Sequence, residues 1–197
     1  MSDGRRGTAR IEDRAAENLA FIRQTLERSG RFTALPGRTG VLMGAIAVAG
    51  AWTAHAQTEP MAWLRVWVVT AVVGFVVAVA AIVAKSVRAG MPLLAGPGRK
   101  FAFALAPALG VACLLTIPLA SSGQMELLPP LWLLLYGTAV TASGAFAVPE
   151  VGILGVAYLL LGGVALFVPG YGDHFMAAGF GGLQAGFGLW IWRRYGR

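Results

Sequence analysis

The stretch from residue 66 to residue 84, VWVVTAVVGFVVAVAAIVA, decides the fold class of this chain. It contains no charged residue, and it is about as long as an α-helix must be to cross a bilayer, roughly 20 residues for a ~30 Å hydrocarbon core. Buried strands of a parallel sheet are much shorter, at ~4–8 residues. Polar residues do not alternate with the apolar ones, as a membrane β-barrel requires. The stretch therefore predicts a transmembrane helix.

Similar uncharged windows recur along most of the chain. The sequence predicts an all-α polytopic membrane protein with six transmembrane helices, preceded by a cytosolic amphipathic helix. Residues 1–38 are expected to form this cytosolic leader, and residues 39–197 the six-helix transmembrane bundle. The six spans are expected at about residues 39–58, 63–85, 101–121, 129–148, 151–169 and 175–192.

Composition supports the same class. Of the 197 residues, 57% are hydrophobic and 13% charged, whereas soluble chains hold about 45–50% apolar and about 25% charged residues. A single cysteine rules out a disulfide scaffold, and it is too few for an iron–sulfur cluster. The composition therefore excludes a soluble globular domain and an intrinsically disordered chain.

Positive charge is distributed unevenly. The leader alone holds eight of the sixteen Lys and Arg residues, together with five of the nine acids. If the N-terminus is cytoplasmic, fifteen cations fall on the cytoplasmic side and only Arg65 falls on the other. Because Lys and Arg mark the cytoplasmic side of a membrane protein, we expect both termini in the cytoplasm.

The connection between the second and third spans is strongly basic. It carries Lys85, Arg88, Arg99 and Lys100 without an acid, and its Pro and Gly residues interrupt any continuous helix. Anionic headgroups attract each such cation by ~1 kcal/mol near the surface. These four residues are predicted to face anionic lipid or a protein partner.

The leader is predicted to be a helix from about Ala9 to Ser29. Leu19 and Ile22 lie on its narrow apolar face, together with Ile11, Ala15 and Leu26. This helix either lies on the membrane or docks a protein partner or a second copy of the chain. Acids are interleaved with its arginines and no nucleic-acid motif occurs, so no nucleic-acid partner is expected.

Several segments of the chain match a known pattern. ENLAFIRQT at 17–25 and FTALPG at 32–37, with GFGGL at 179–183 and RRYG at 193–196, resemble an uncharacterised family of small bacterial six-span membrane proteins. The resemblance implies an amphipathic leader followed by six spans, and no activity, cofactor or functional residue. Members often carry His where this chain has Gln184, which counts against a proton-relay or metal role at that position.

Few polar residues fall inside the predicted spans, where they are costly and often functional. Arg65 and Gln184 are the candidates for an intramembrane polar site, although snorkelling or an ion pair with a nearby acid also explains Arg65. His55, Asp173 and His174 lack the spacing of a recognised metal site. We expect no metal, no cofactor and no catalytic residue.

Small residues dominate the last predicted span. Gly181, Gly182 and Gly186 belong to small-xxx-small pairs, which let membrane helices approach closely. They are expected to pack helices within one bundle or to form a homodimer face. Glu150, in an inner turn, is expected to cap the helix that begins beside it.

Two functions from different classes follow from these observations. The first is a non-enzymatic inner-membrane protein whose cytosolic helix and basic loop engage a protein partner or anionic lipid. The second is a small permease or channel for a neutral or apolar solute, since little buried charge is available to bind an ion.

Overall fold

The computed structural model describes residues 17–19, 21–22, 37–88 and 96–195. These residues are almost entirely helical, and none of them forms a β-strand. The helices are α1 (Gly37–His55), α2 (Pro60–Arg88), α3 (Gly96–Ser121), α4 (Leu128–Gly144), α5 (Pro149–Leu166), α6 (Gly172–Met176) and α7 (Gln184–Tyr195). A short 3₁₀ turn, Met125–Leu127, precedes α4, and a π-helical segment, Ala177–Leu183, joins α6 to α7 without a break.

Four helical segments are long and apolar enough to cross a membrane, namely Pro60–Arg88, Gly98–Ser121, Met125–Gly144 and Pro149–Leu166. The expectation of an all-α membrane protein is therefore confirmed. Arg38 and four glycines make α1 less apolar, and the π segment divides the last helix, 172–195. These two helices are therefore not among the four.

The outward surfaces of α2 and α3 are apolar. Only Trp67 and Ser86 are buried in α2, and none of residues 98–121 of α3 is buried. Phe75, Leu114 and Ile117 are each more than 60% exposed. A soluble protein rarely exposes continuous apolar surface of this extent, whereas hydrocarbon chains solvate it. The surface is that of a protein in contact with lipid.

Glycines set the helix packing in the centre of the bundle. A Cβ atom at Gly188 of α7 would lie 2.6 Å from the backbone nitrogen of Val41 and 2.7 Å from the carbonyl carbon of Gly40 in α1. In the α4–α5 pair, a Cβ atom at Gly144 would lie 2.7 Å from the backbone nitrogen of Gly152. Side chains cannot occupy these spaces, so both helix pairs approach at backbone contact.

The core lies between α4, α5 and the last helix. Tyr158 and Leu133 are completely buried there, and Met176 is almost so. The ring of Tyr158 packs against Tyr136 and Phe180, at centroid distances of 4.7 and 5.3 Å. Such edge-on and tilted aromatic pairs contribute to helix packing. In a membrane this contribution matters, because the hydrophobic effect does not drive helices together there.

Candidate functional site

Charged side chains cluster at one end of the bundle, which we call the cationic end. Successive helices run in opposite directions, so this end collects the start of α1, the junction of α2 with α3, and the end of α7. Its seven described cations are Arg38, Lys85, Arg88, Arg99, Lys100, Arg193 and Arg194. At the opposite end Arg65 is accompanied by the acids Glu59, Glu126 and Asp173.

The predicted basic loop is shorter than the sequence suggested. Lys85 and Arg88 lie in the last turn of α2, and Arg99 and Lys100 lie near the start of α3, so the connection is confined to residues 89–95, outside the described residues. Arg88, Arg99 and Lys100 are exposed, and Lys85 is half-buried. The four cations thus lie on helix ends.

Aromatic rings contact two of the cations at this end. The Arg38 guanidinium lies 4.8 Å from the ring centroid of Trp192, and Lys100 Nζ lies 6.0 Å from that of Phe146. Cations over aromatic faces are stabilised by the ring quadrupole while remaining able to meet an anion. The first contact joins α1 to α7, and the second joins α3 to the turn after α4.

Glu150 lies at the cationic end and was expected only to cap α5. It lies in the first turn of α5, where the helix dipole favours an anion, but the N-cap residue is Val148 and no side-chain hydrogen bond caps the helix. It is also 4% exposed, and its Oε1 atom lies 3.3 Å from Arg194 Nη1. The sequence carries no signal for this ion pair, because the partners are far apart in the chain and lie in helices that meet only after folding.

The opposite end, which we call the aromatic end, is organised around Asp173. Trp63 Nε1 and Trp67 Nε1 both donate hydrogen bonds to Asp173 Oδ1, at 2.7 and 3.3 Å. His55 Nδ1 lies 3.6 Å from Asp173 Oδ2, and the His55 and His174 rings meet edge-on at 5.8 Å. The carboxylate therefore connects the end of α1, the start of α2 and the start of α6.

A tryptophan stack extends this cluster to two more helices. Trp63 stacks on Trp132 of α4 with ring planes 5° apart and centroids separated by 5.9 Å. Trp132 Nε1 in turn donates to Thr116 Oγ1 of α3 at 2.9 Å. The convergence of Trp63 and Trp67 on one carboxylate could not be predicted from the sequence, because the periodicity of one helix does not reveal its neighbours.

Arg65 does not join this cluster. Its side chain is exposed, and it forms no ion pair with any residue in the described part of the chain. The nearby acid Asp173 is instead satisfied by the two indoles and His55. Snorkelling of Arg65 to the lipid headgroups stays a prediction.

Gln184, the other polar candidate, is half-buried beside Tyr158. Its Oε1 atom accepts a hydrogen bond from the Tyr158 hydroxyl at 3.2 Å. The Tyr158 hydroxyl lies 2.9 Å from the carbonyl oxygen of Gly179, which it can also donate to. Gly179 lies in the π segment, and π segments often mark functional positions in helices.

The glycine candidates in the last helix face different directions. A Cβ atom at Gly181 would lie 2.6 Å from Val48 Cγ2, so this residue packs against α1. Gly182 and Gly186 are exposed, and a Cβ atom at Gly186 would meet nothing within 4 Å. Within one chain only Gly181 of the three serves close helix packing, and a homodimer face at Gly182 and Gly186 stays a prediction.

Little of the leader is described. Leu19 and Ile22 are helical and exposed, at 67% and 52%. The expected helix ends at Ala9 and Ser29 lie outside the described residues, as do the other members of the predicted apolar face, Ile11, Ala15 and Leu26.

Among residues 17–19, 21–22, 37–88 and 96–195, no three His, Cys, Asp or Glu side chains are arranged to hold a metal ion. Comparison with known proteins adds no family: no protein-family model, curated protein or solved structure matches the chain. The fold and the two ends therefore define the protein only as a helical membrane protein.

Proposed function

We propose that this chain is a non-enzymatic, six-span protein of the bacterial inner membrane whose cationic end binds anionic lipid headgroups. The observation that carries this proposal is the separation of charge, with seven described cations at one end and one at the other. Of the described acids in α1–α7, only Glu150 lies at the cationic end; it is 4% exposed and beside Arg194, so it presents little negative charge to a ligand.

The same separation supports an orientation. Positively charged ends of membrane helices stay in the cytoplasm, so the cationic end, the leader and both termini are cytoplasmic in this proposal. The aromatic end then lies at the outer interface, where the amphipathic rings of tryptophan are favoured. In this arrangement α1 and the last helix cross the membrane beside the four more apolar segments.

The distribution of the cations favours lipid over a protein partner. The cations are spread over the ends of α1, α2, α3 and α7, and several lie at the boundary with an apolar helix surface that contacts lipid. Each cation near an anionic surface contributes ~1 kcal/mol. With Leu19 and Ile22 exposed on the leader, an amphipathic helix in the plane of the membrane would add apolar contact on the same side.

Native mass spectrometry of the purified protein tests the lipid proposal. The wild-type chain is compared with the triple variant Arg88→Gln/Arg99→Gln/Lys100→Gln, and retained anionic and zwitterionic lipids are counted. We expect the triple variant to lose anionic lipid selectively. The matched control, Arg88→Lys/Arg99→Lys/Lys100→Arg, keeps the charge and should keep the lipid. Equal retention by all three proteins contradicts the proposal, and a stoichiometric copurifying protein favours a protein partner instead.

A small permease for a neutral or apolar solute is the second candidate. It is favoured by the contact between Gln184 and Tyr158 beside the π segment, because hydrogen-bonding groups inside a bundle can bind a solute. A solute that copurifies in mild detergent, and is lost in Gln184→Leu, would support it. The same solute retained in Gln184→Leu would contradict a role for this contact.

A further inference from the structure

The two oxygen atoms of the half-buried Asp173 carboxylate contact different groups. On one side, Oδ1 accepts hydrogen bonds from Trp63 and Trp67 of α2. On the other, Oδ2 faces His55 Nδ1 at 3.6 Å, from the last turn of α1. The carboxyl group is 19% exposed and the imidazole is 71% exposed. Water can therefore deliver a proton to His55 while the indoles hold the carboxylate in place.

We propose that His55 and Asp173 form a proton-sensitive latch that ties α1 to the start of the last helix. An imidazole changes its charge between about pH 5 and 8. When His55 is neutral, the contact is a weak polar one at 3.6 Å. When His55 takes up a proton from water, the contact becomes an ion pair between cation and carboxylate. The latch therefore tightens on acidification and loosens as the pH rises.

His55 and His174 contact the carboxylate region differently. His55 lies at the C-terminal end of α1 and faces the Oδ2 side of the carboxylate. The described contacts of the His174 ring are with the rings of His55 and Tyr171. The two imidazole centroids are 5.8 Å apart, so a charge on one opposes a charge on the other.

Other charged groups around the latch come from each neighbouring element. Glu59 lies between α1 and α2, Arg65 is exposed on α2, and Glu126 lies in the 3₁₀ turn before α4. In the described part of the chain none of these three forms an ion pair with His55 or Asp173. The ring of Tyr171 contacts the ring of His174, at a centroid distance of 5.6 Å. The pair formed by His55 and Asp173 is therefore the unit expected to respond to pH.

The indole N–H groups provide a direct readout. Because Trp63 and Trp67 donate to the same carboxylate that faces His55, a charge on His55 draws electron density from Asp173 and weakens its acceptance of both hydrogen bonds. The full-length protein, labelled with nitrogen-15 at tryptophan and held in lipid nanodiscs, is titrated by NMR from pH 5 to pH 8. The indole resonances of Trp63 and Trp67 should shift with one midpoint in this range.

Variants separate the latch from other titrations. The shift should disappear in His55→Gln and persist in the matched control His174→Gln. In Asp173→Asn most of its amplitude should be lost, because the neutral amide forms no ion pair. Unchanged Trp190 and Trp192 resonances, from the other end of the bundle, show that each variant is folded. A shift that persists in His55→Gln, one lost only in His174→Gln, or no shift in the wild-type protein overturns the proposal.

Discussion

Arg194 Nη1 lies 3.3 Å from Glu150 Oε1, and this ion pair joins the last turn of α7 to the first turn of α5. The carboxylate is almost buried, with 5% of its side chain exposed, whereas the guanidinium is 58% exposed. Removal of one partner is therefore expected to cost more stability than removal of the other. Removing the cation leaves a charge in a poorly solvated position, whereas removing the carboxylate leaves an arginine that water can solvate.

Arg194→Gln is accordingly expected to destabilise the folded protein by about 1–2 kcal/mol, less than a fully buried pair because Arg194 is partly solvated. The thermal unfolding midpoint in detergent should fall by about 2–8 °C for a chain of this size. Glu150→Gln should have a smaller effect. The double variant should be more stable than Arg194→Gln alone, because the buried charge is gone. A double variant whose loss equals the sum of the two single losses would contradict the ion pair.

Gly188 and Gly186 provide a matched pair of substitutions in α7. A Cβ atom at Gly188 would lie within 2.6–2.8 Å of the α1 backbone, whereas one at Gly186 would meet nothing within 4 Å. Gly188→Ala should therefore force α1 and α7 apart and lower the unfolding midpoint by several degrees. Gly186→Ala should be neutral or slightly stabilising, because Ala favours a helix over Gly by up to about 1 kcal/mol.

Thermal unfolding of both variants in the same detergent checks the expectation. Both substitutions add one methyl group to the same helix, so a difference between them reports only the direction that each position faces. Equal losses would mean that α1 and α7 are not in backbone contact at Gly188. A loss confined to Gly186→Ala would instead favour a second copy of the chain on that face.

The helices could be predicted from the sequence because membrane thickness requires long uncharged runs, and the stretch at 66–84 is one of them. The segregation of Arg38, Lys85 and Arg194 to one end also follows from the alternation of helix direction. Neither argument depends on which side of a helix meets which neighbour. Hydropathy and charge along the chain therefore account for the fold class and for the two chemically different ends.

The partners of Asp173 and Glu150 could not be predicted in the same way. Asp173 bonds to Trp63 and Trp67 more than a hundred residues earlier in the chain, and the order in which helices pack decides such contacts. Helices that are apolar all round give no amphipathic signal for their inner faces. For the same reason Gly181 and Gly182 look equivalent in the sequence, although only Gly181 faces α1.

The hydroxyl of Tyr158 is expected to stabilise the π segment. It is completely buried, and it lies 2.9 Å from the Gly179 carbonyl oxygen, a group whose backbone hydrogen bonding is altered by the wider helix. Tyr158→Phe removes the donor and keeps the ring. The expected cost is about 0.5–1.5 kcal/mol, measured as a lower unfolding midpoint.

Thr138→Val serves as the control for Tyr158→Phe. Thr138 is exposed, and its hydroxyl donates to the Leu134 carbonyl one turn earlier in the same helix, at 2.9 Å. Losing this local bond should change the stability by less than about 0.5 kcal/mol. If Tyr158→Phe is as mild as Thr138→Val, the hydrogen bond to the π segment does not contribute to stability.

The single cysteine of the chain allows a test of depth and orientation. Cys113 lies within α3 on an exposed surface, between Lys100 at the cationic end and Ser122 after the other end of the helix. If that surface contacts hydrocarbon, a charged maleimide cannot reach the thiol, because moving a charge into hydrocarbon is costly. Cys113 should therefore resist a charged maleimide in intact membranes and react after denaturation.

Two further positions complete the experiment, each introduced as the only cysteine in a Cys113→Ala background. Ser122→Cys should react with the impermeant maleimide in spheroplasts, because the aromatic end is expected to face outward. Lys100→Cys should react only in inside-out vesicles, where the cationic end becomes accessible. The reverse pattern would invert the orientation. Ready labelling of Cys113 in intact membranes would mean that the exposed surface of α3 faces water and does not contact lipid.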